Sequence, residues 1–184
     1  MAVNWKRAMT WIIALAVLTA IIYAFIAAFS AKPSPTELML DTITLRETNE
    51  TVERAQIITQ MDDIVRELKD PAISAQWAGL TNCVSGNVCT QDDYFDFLLM
   101  VAIEKPKEVP HAELIVNSIT VNRYWGNSEK IIDFSKALSD ANTEVEQLGL
   151  KTIANKWRDI VACDGKCPQY HDLFFEFDRL LLSV

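Results

Sequence analysis

The longest apolar run in the chain is also its first. Residues 9–29 carry no charge, and Thr10 and Thr19 are their only clearly polar side chains. As a helix rising about 1.5 Å per residue, such a run matches the roughly 30 Å hydrocarbon layer of a bilayer. A transmembrane anchor is therefore expected over residues 9–30, with Trp5, Trp11, Tyr23 and Phe29 supplying rings of the kind that settle near membrane interfaces. A cleaved signal peptide is the competing reading, because small residues precede Ser30. Its apolar region would run only about 7–15 residues, so the uncleaved anchor is preferred. Lys6 and Arg7 lie before the run, within a tail of residues 1–8, and Glu37 and Asp41 follow it. The positive-inside rule then keeps the amino terminus in the cytoplasm and sends the rest across.

Beyond the anchor the pattern changes to the helical period. Residues 31–35 contain Lys32-Pro33-Ser34-Pro35 and read as a stiff juxtamembrane linker. Residues 36–69 read as one long polar helix with a narrow apolar stripe: Leu38, Leu45, Val52, then Ile57, Met61, Ile64 and Leu68. Such a stripe suits a stalk or two-helix packing, with a break conceivable in the polar stretch 46–53.

Residues 70–184 read as a compact bundle. Residues 72–80 form a short helix ending near Gly79, followed by a turn-rich loop to Cys89. Thr90 and Asp93 have the spacing of a capping box before a strongly apolar helix through Tyr94, Phe95, Phe97, Leu98 and Val101. Residues 111–125 are β-branched enough to allow a strand, but helix is preferred because no partner strand is evident. The cleanest stripe is Ile131, Phe134, Leu138, Ala141, Val145 and Leu148, closed by Gly149. Two more amphipathic series run around Ile153, Trp157 and Ile160 and around Leu173, Phe174, Phe177 and Leu181. The expected fold is all-α: one transmembrane helix and an exported bundle of about six helices. No segment repeats another at a fixed period.

Charge narrows the partners. From Ala31 onward the chain has 15 basic and 25 acidic residues, a formal charge of −10. A surface this acidic offers no cationic stripe for nucleic acid or anionic headgroups. The expected partners are the bilayer itself, through residues 9–30, and another membrane or envelope protein.

All four cysteines, Cys83, Cys89, Cys163 and Cys167, fall in the exported part. In an oxidising compartment an even set reads as disulfides, and local pairing is the simplest of three connectivities. The spacings Cys-x5-Cys and Cys-x3-Cys fit zinc ribbons poorly and supply no Cys-x-x-Cys redox motif. Asn49-Glu50-Thr51 is a glycosylation sequon. Trp77, Trp125 and Trp157 are expected in the core by default, with a shared ligand pocket as the sharper reading.

Catalytic patterns are missing. His111 and His171 have no second ligand or base at helical spacing, and Asp92, Asp93 and Asp96 lack the glycine and terminal glutamate of a calcium loop. Phosphate loops, nucleophile elbows and dinucleotide fingerprints are absent, so no cofactor or metal is expected. The reading is a non-catalytic, membrane-anchored extracytoplasmic interaction module serving as an accessory or scaffold subunit of a membrane or envelope assembly. The alternatives are a ligand-binding or sensory domain and an exported thiol oxidoreductase using Cys163 and Cys167.

Overall fold

The computed structural model describes residues 34–184, together with Val17 and Thr19. The expected tail 1–8, nearly all of the anchor 9–30 and most of the linker lie outside the described residues. Among the described residues no helix is long and apolar enough to cross a membrane. Residues 34–184 fold as one unit built of eight α-helices, with no strand among the described residues. They are α1 (Pro35–Glu47), α2 (Thr51–Leu68), α3 (Pro71–Gly86), α4 (Gln91–Glu104), α5 (Ala112–Tyr124), α6 (Ile131–Leu148), α7 (Lys151–Cys163) and α8 (Tyr170–Leu182). A single 3-10 turn, Ser128–Lys130, precedes α6. Eight helices replace the expected six, and residues 112–124 are helical.

Local chemistry sets the boundaries. Ser34 accepts a hydrogen bond from the Glu37 N–H at 3.0 Å, and Pro35 occupies the first turn of α1, so the end of the expected linker is a helix start. The expected single helix over 36–69 is corrected to two. Thr48 and Glu50 are extended, because Thr48 and Asn49 are poor helix formers whose side chains compete for backbone groups. Asp70 accepts from the Ala72 and Ile73 N–H groups at 3.0 and 3.2 Å, with Pro71 next to it. α3 then runs on through Gly79 to Gly86 rather than stopping near Gly79, and Asn87 closes it in the left-handed region. The Thr90–Asp93 capping box forms as its spacing predicts.

α1 is not a stalk. Met39, Thr42 and Ile43 are buried beside Leu38 and Leu45, whereas Val52, the third member of the expected stripe, is 71% exposed. α1 packs on α2, α4 and α8.

The packing scheme exposes a duplication. Each helix packs on its successor; α4 returns to α1 and α8 returns to α5, so α1–α4 and α5–α8 are two closed quartets. They meet through α1 on α8 and α4 on α5, contacts that interchange when the halves are exchanged. The sequences correspond once the packing is known. Leu38-Met39-Leu40-Asp41-Thr42-Ile43-Thr44-Leu45 in α1 stands over Leu114-Ile115-Val116-Asn117-Ser118-Ile119-Thr120-Val121 in α5, with the same succession of buried and half-buried positions. In both, hydroxyls bond back to the helix: Thr42 to the Leu38 carbonyl, Thr44 to that of Leu40, and Thr120 to that of Val116.

The later helices correspond at a larger offset. Ile73, Trp77, Leu80 and Cys83 in α3 match Ile153, Trp157, Ile160 and Cys163 in α7. The Trp77 indole donates to Asp62 at 2.6 Å and the Trp157 indole to Asn142 at 2.7 Å, equivalent bonds between equivalent helices. Trp77 lies 5.5 Å from Phe97 and Trp157 lies 5.1 Å from Phe177, centroid to centroid. Phe95 and its counterpart Phe175 stack on each other at 4.0 Å where the halves meet. The two halves thus correspond without repeating at a fixed period. The offset is 76 residues from α1 to α5 but 80 from α2, α3 and α4 to α6, α7 and α8. A four-residue insertion after α5 thus breaks any fixed period.

Candidate functional site

The insertion falls at one place on the surface. Where Thr48–Glu50 suffice to join α1 to α2, residues 125–130 join α5 to α6. Trp125 leads this insertion, and Asn127 accepts from the Glu129 N–H at 3.0 Å to form the 3-10 turn. The turn walls a cleft of about 560 Å³ between the end of α5, the first half of α6 and the end of α7. Trp125, Phe134, Ile131, Leu138 and Val161 give it an apolar lining, and Asn127, Ser128, Ser135 and Asp164 supply polar atoms.

The helix stripe alone misreads this surface. Ile131 and Phe134 head the cleanest apolar series in the chain, yet Ile131 is 60% exposed and its neighbour Ile132 is 81% exposed. Only Ala137, Ala141 and Val145 of α6 reach the core. The first half shows the contrast. Thr51, Arg54 and Thr81 stand at the positions of Ile131, Phe134 and Val161. At these three positions polar side chains of the first half are replaced by apolar ones in the second.

Trp125 is held from behind by the Cys163–Cys167 loop. Asp164 and Gly165 both lie in the left-handed region, at φ 50° and 66°. This brings the Gly165 Cα so close that a Cβ there would stand 2.5 Å from Trp125 Cδ1. Glycine is required twice over, by its φ and by the indole face. The Lys166 ammonium, and less strongly the Trp125 indole N–H, hold the Asp164 carboxyl below its usual value. Phe134 and Tyr170 meet the Trp125 ring edge-on at 5.2 and 5.8 Å.

Trp77, Trp125 and Trp157 do not share a pocket. Trp77 and Trp157 are equivalent core residues, each at most 5% exposed. Trp125 alone lines the large cleft; Trp157 borders a smaller depression with Asn142, Val145 and Arg158. The cysteines pair locally, Cys83 with Cys89 and Cys163 with Cys167, at Cα separations of 4.9 and 5.4 Å. Among the described residues one group, Cys83, Cys89 and Asp93, has metal-like spacing, and its sulfurs are already bonded to each other. Asn49 is exposed in the bend between α1 and α2.

A second departure from the duplication lies inside the core. Asp178 stands where the first half has Leu98. It is fully buried, contacts Ser118 Oγ at 2.6 Å and has no partner for Oδ2 among the described residues. Burial pushes its pKa up to about 8, against a smaller opposing effect of the Ser118 hydrogen bond. Ser118 has one proton, yet both Asp178 and the Ile115 carbonyl, at 2.9 Å, are within its reach. A neutral Asp178 donating to Ser118 resolves the conflict, because Ser118 is then free to donate to Ile115. With no exposed surface, the acid cannot touch a substrate. His171 contacts Asn122 Oδ1 at 3.0 Å through Nδ1 but has no acid or second base completing a catalytic set. His111 starts α5.

Neither the missing catalytic patterns nor the four cysteines point to the insertion. Sequence could have found it through the one signal available, the Ile-Trp-Leu/Ile-Cys pattern shared by α3 and α7. No protein-family model, curated protein or solved structure matches this chain, so the cleft and its contrast with the equivalent surface of the first half carry the functional reading.

Proposed function

We propose that this chain is a membrane-tethered, extracytoplasmic interaction module, an accessory or scaffold subunit that docks a partner protein through the Trp125 cleft. The observation that carries the reading is the one-sided conversion of the duplicated surface: Ile131, Phe134 and Val161 in place of Thr51, Arg54 and Thr81, beside an insertion that supplies Trp125. Aromatic side chains around a concave apolar surface are the usual anchors of a protein interface. The occupant that fits is an aromatic or branched aliphatic side chain, because the lining is mostly apolar. The uncharged run at residues 9–29 and the all-disulfide state of the cysteines support tethering to the outer face of a membrane.

The test is purification of the full chain from its native membrane in mild detergent. A partner in stoichiometric amount is expected. The paired substitution Ile131→Thr and Phe134→Arg, which copies the first half, should release it while circular dichroism stays unchanged. A strictly monomeric wild type, or a partner retained by the double variant, overturns the reading.

A further inference from the structure

We infer that the Cys163–Cys167 disulfide is a redox gate for the Trp125 cleft, so that the docking surface is assembled only while this bond is oxidised. The inference rests on the docking reading and adds its regulation. The two disulfides occupy equivalent places, each tying a cysteine near the end of the third helix of its quartet to one in the loop that follows, but they close different loops. Cys83–Cys89 closes a loop centred on Asn87, remote in sequence from every cleft residue. Cys163–Cys167 closes Asp164-Gly165-Lys166, and two of these three residues touch the Trp125 ring.

The clamp needs that closure. Asp164 sits in a left-handed conformation that costs energy for any residue with a Cβ, and Gly165 follows in the same region. Two consecutive residues of this kind give a sharp reversal, held by the Lys166 N–H to the Cys163 carbonyl at 3.0 Å and the Cys167 N–H to Cys163 Sγ at 3.2 Å. The second of these bonds depends on where the bridged sulfur sits. Opening the bridge frees the loop to relax toward ordinary backbone angles, which withdraws Gly165 from the indole and Asp164 from the cleft wall. Trp125 then loses its backing, and the cleft loses one side.

The chemistry balances with a dithiol as reductant. One thiolate attacks a cysteine sulfur, the Sγ–Sγ bond breaks, and a mixed disulfide forms. The second thiol of the reductant displaces the cysteine, leaving a cyclic disulfide and two protonated cysteines. Both cysteines are only half-buried, so a small dithiol can reach them.

The test uses the full chain in detergent with all tryptophans replaced by 5-fluorotryptophan, followed by fluorine NMR, with Trp125→Phe assigning the Trp125 resonance. The background is Cys83→Ser with Cys89→Ser, so that dithiothreitol acts on the second bridge alone; alkylation and mass spectrometry confirm its reduction. The Trp125 resonance should shift or broaden, while those of Trp77 and Trp157 stay in place, and the Cys163→Ser, Cys167→Ser variant should show the same spectrum without reductant. The co-purifying partner should bind that variant at least ten-fold more weakly. An unmoved Trp125 resonance in fully reduced protein overturns the gate, as does a shift of the Trp77 and Trp157 resonances (assigned by Trp77→Phe and Trp157→Phe) along with that of Trp125, which would make the bond a general staple. Absence of any partner on the oxidised wild type sinks the docking reading instead, and the spectrum still decides the gate.

Discussion

The two quartets of helices share a core plan and differ at their surfaces. α1–α4 and α5–α8 each bury a tryptophan under a phenylalanine, each tie that tryptophan to the helix before it, and each close the loop after their third helix with a disulfide. The first quartet has Thr51 and Arg54 on its second helix. The second quartet has Ile131, Phe134 and an inserted Trp125 in the same region. Packing constrains the interior because a core loses stability with every mismatch of volume. The surface is free to change, so differences gathered at one place mark where one half has taken on a task the other lacks.

The comparison is most easily broken in the core. Trp77→Ala and Trp157→Ala should each cost about 3–5 kcal/mol, and by similar amounts, if the halves are equivalent. Chemical denaturation of both variants checks this, and a cost confined to one of them would end the claim of duplication.

Removing either disulfide comes next. By loop-closure entropy each bridge contributes about 2 kcal/mol, because both loops are short. Cys83→Ser with Cys89→Ser should lower stability by that amount and leave partner binding intact. The corresponding change at Cys163 and Cys167 should lower both.

Asp178 sharpens the comparison through pH. Its folded pKa, about 8, lies above the ordinary value of 3.8, so the folded state holds a proton that the unfolded state has already released. Stability is therefore greatest below pH 4 as far as this group is concerned, and it is lost as the pH rises toward 8. Asp41, raised to about 6 by burial and by Glu37, acts in the same direction over a lower range. Between pH 6.5 and 8 Asp178 alone should cost roughly 1.5 kcal/mol. Asp178→Leu, which restores the first half's residue, should abolish that slope in denaturant titrations at the two pH values. An unchanged slope would place the titration elsewhere.

The smallest expected effect concerns a helix cap. Asp70 caps α3, and Leu150 stands at the same place before α7 with no side-chain cap and 40% exposure. Leu150→Asp should stabilise the protein by about 0.5–1 kcal/mol, read as a rise in thermal midpoint. No rise would mean that the start of α7 differs from that of α3 in more than its cap.

Much of this molecule was legible along the chain. The capping box at Thr90 and Asp93, the new segment opened by Asp70-Pro71 and Gly149 closing α6 all depend on residues within a few positions of one another. The misreadings share a cause. Residues 36–69 read as one helix because the apolar spacing carries across Thr48–Glu50, although the break falls inside the polar stretch 46–53 where the local sequence allows one. Ile131 heads the cleanest stripe yet stands exposed, because periodicity identifies a face without saying what covers it.

Sequence by itself determined the helical class, the acidic surface, the uncharged run of residues 9–29 and most helix ends, because these follow from composition and from neighbours along the chain. Tertiary structure alone decided that the eight helices form two matched quartets, that Trp125 stands apart from Trp77 and Trp157, and that Asp178 is a buried acid. Those properties depend on which distant segments meet: a four-residue insertion hides the correspondence in the linear order, and burial is set by what lies across the interface rather than by what lies next in the chain.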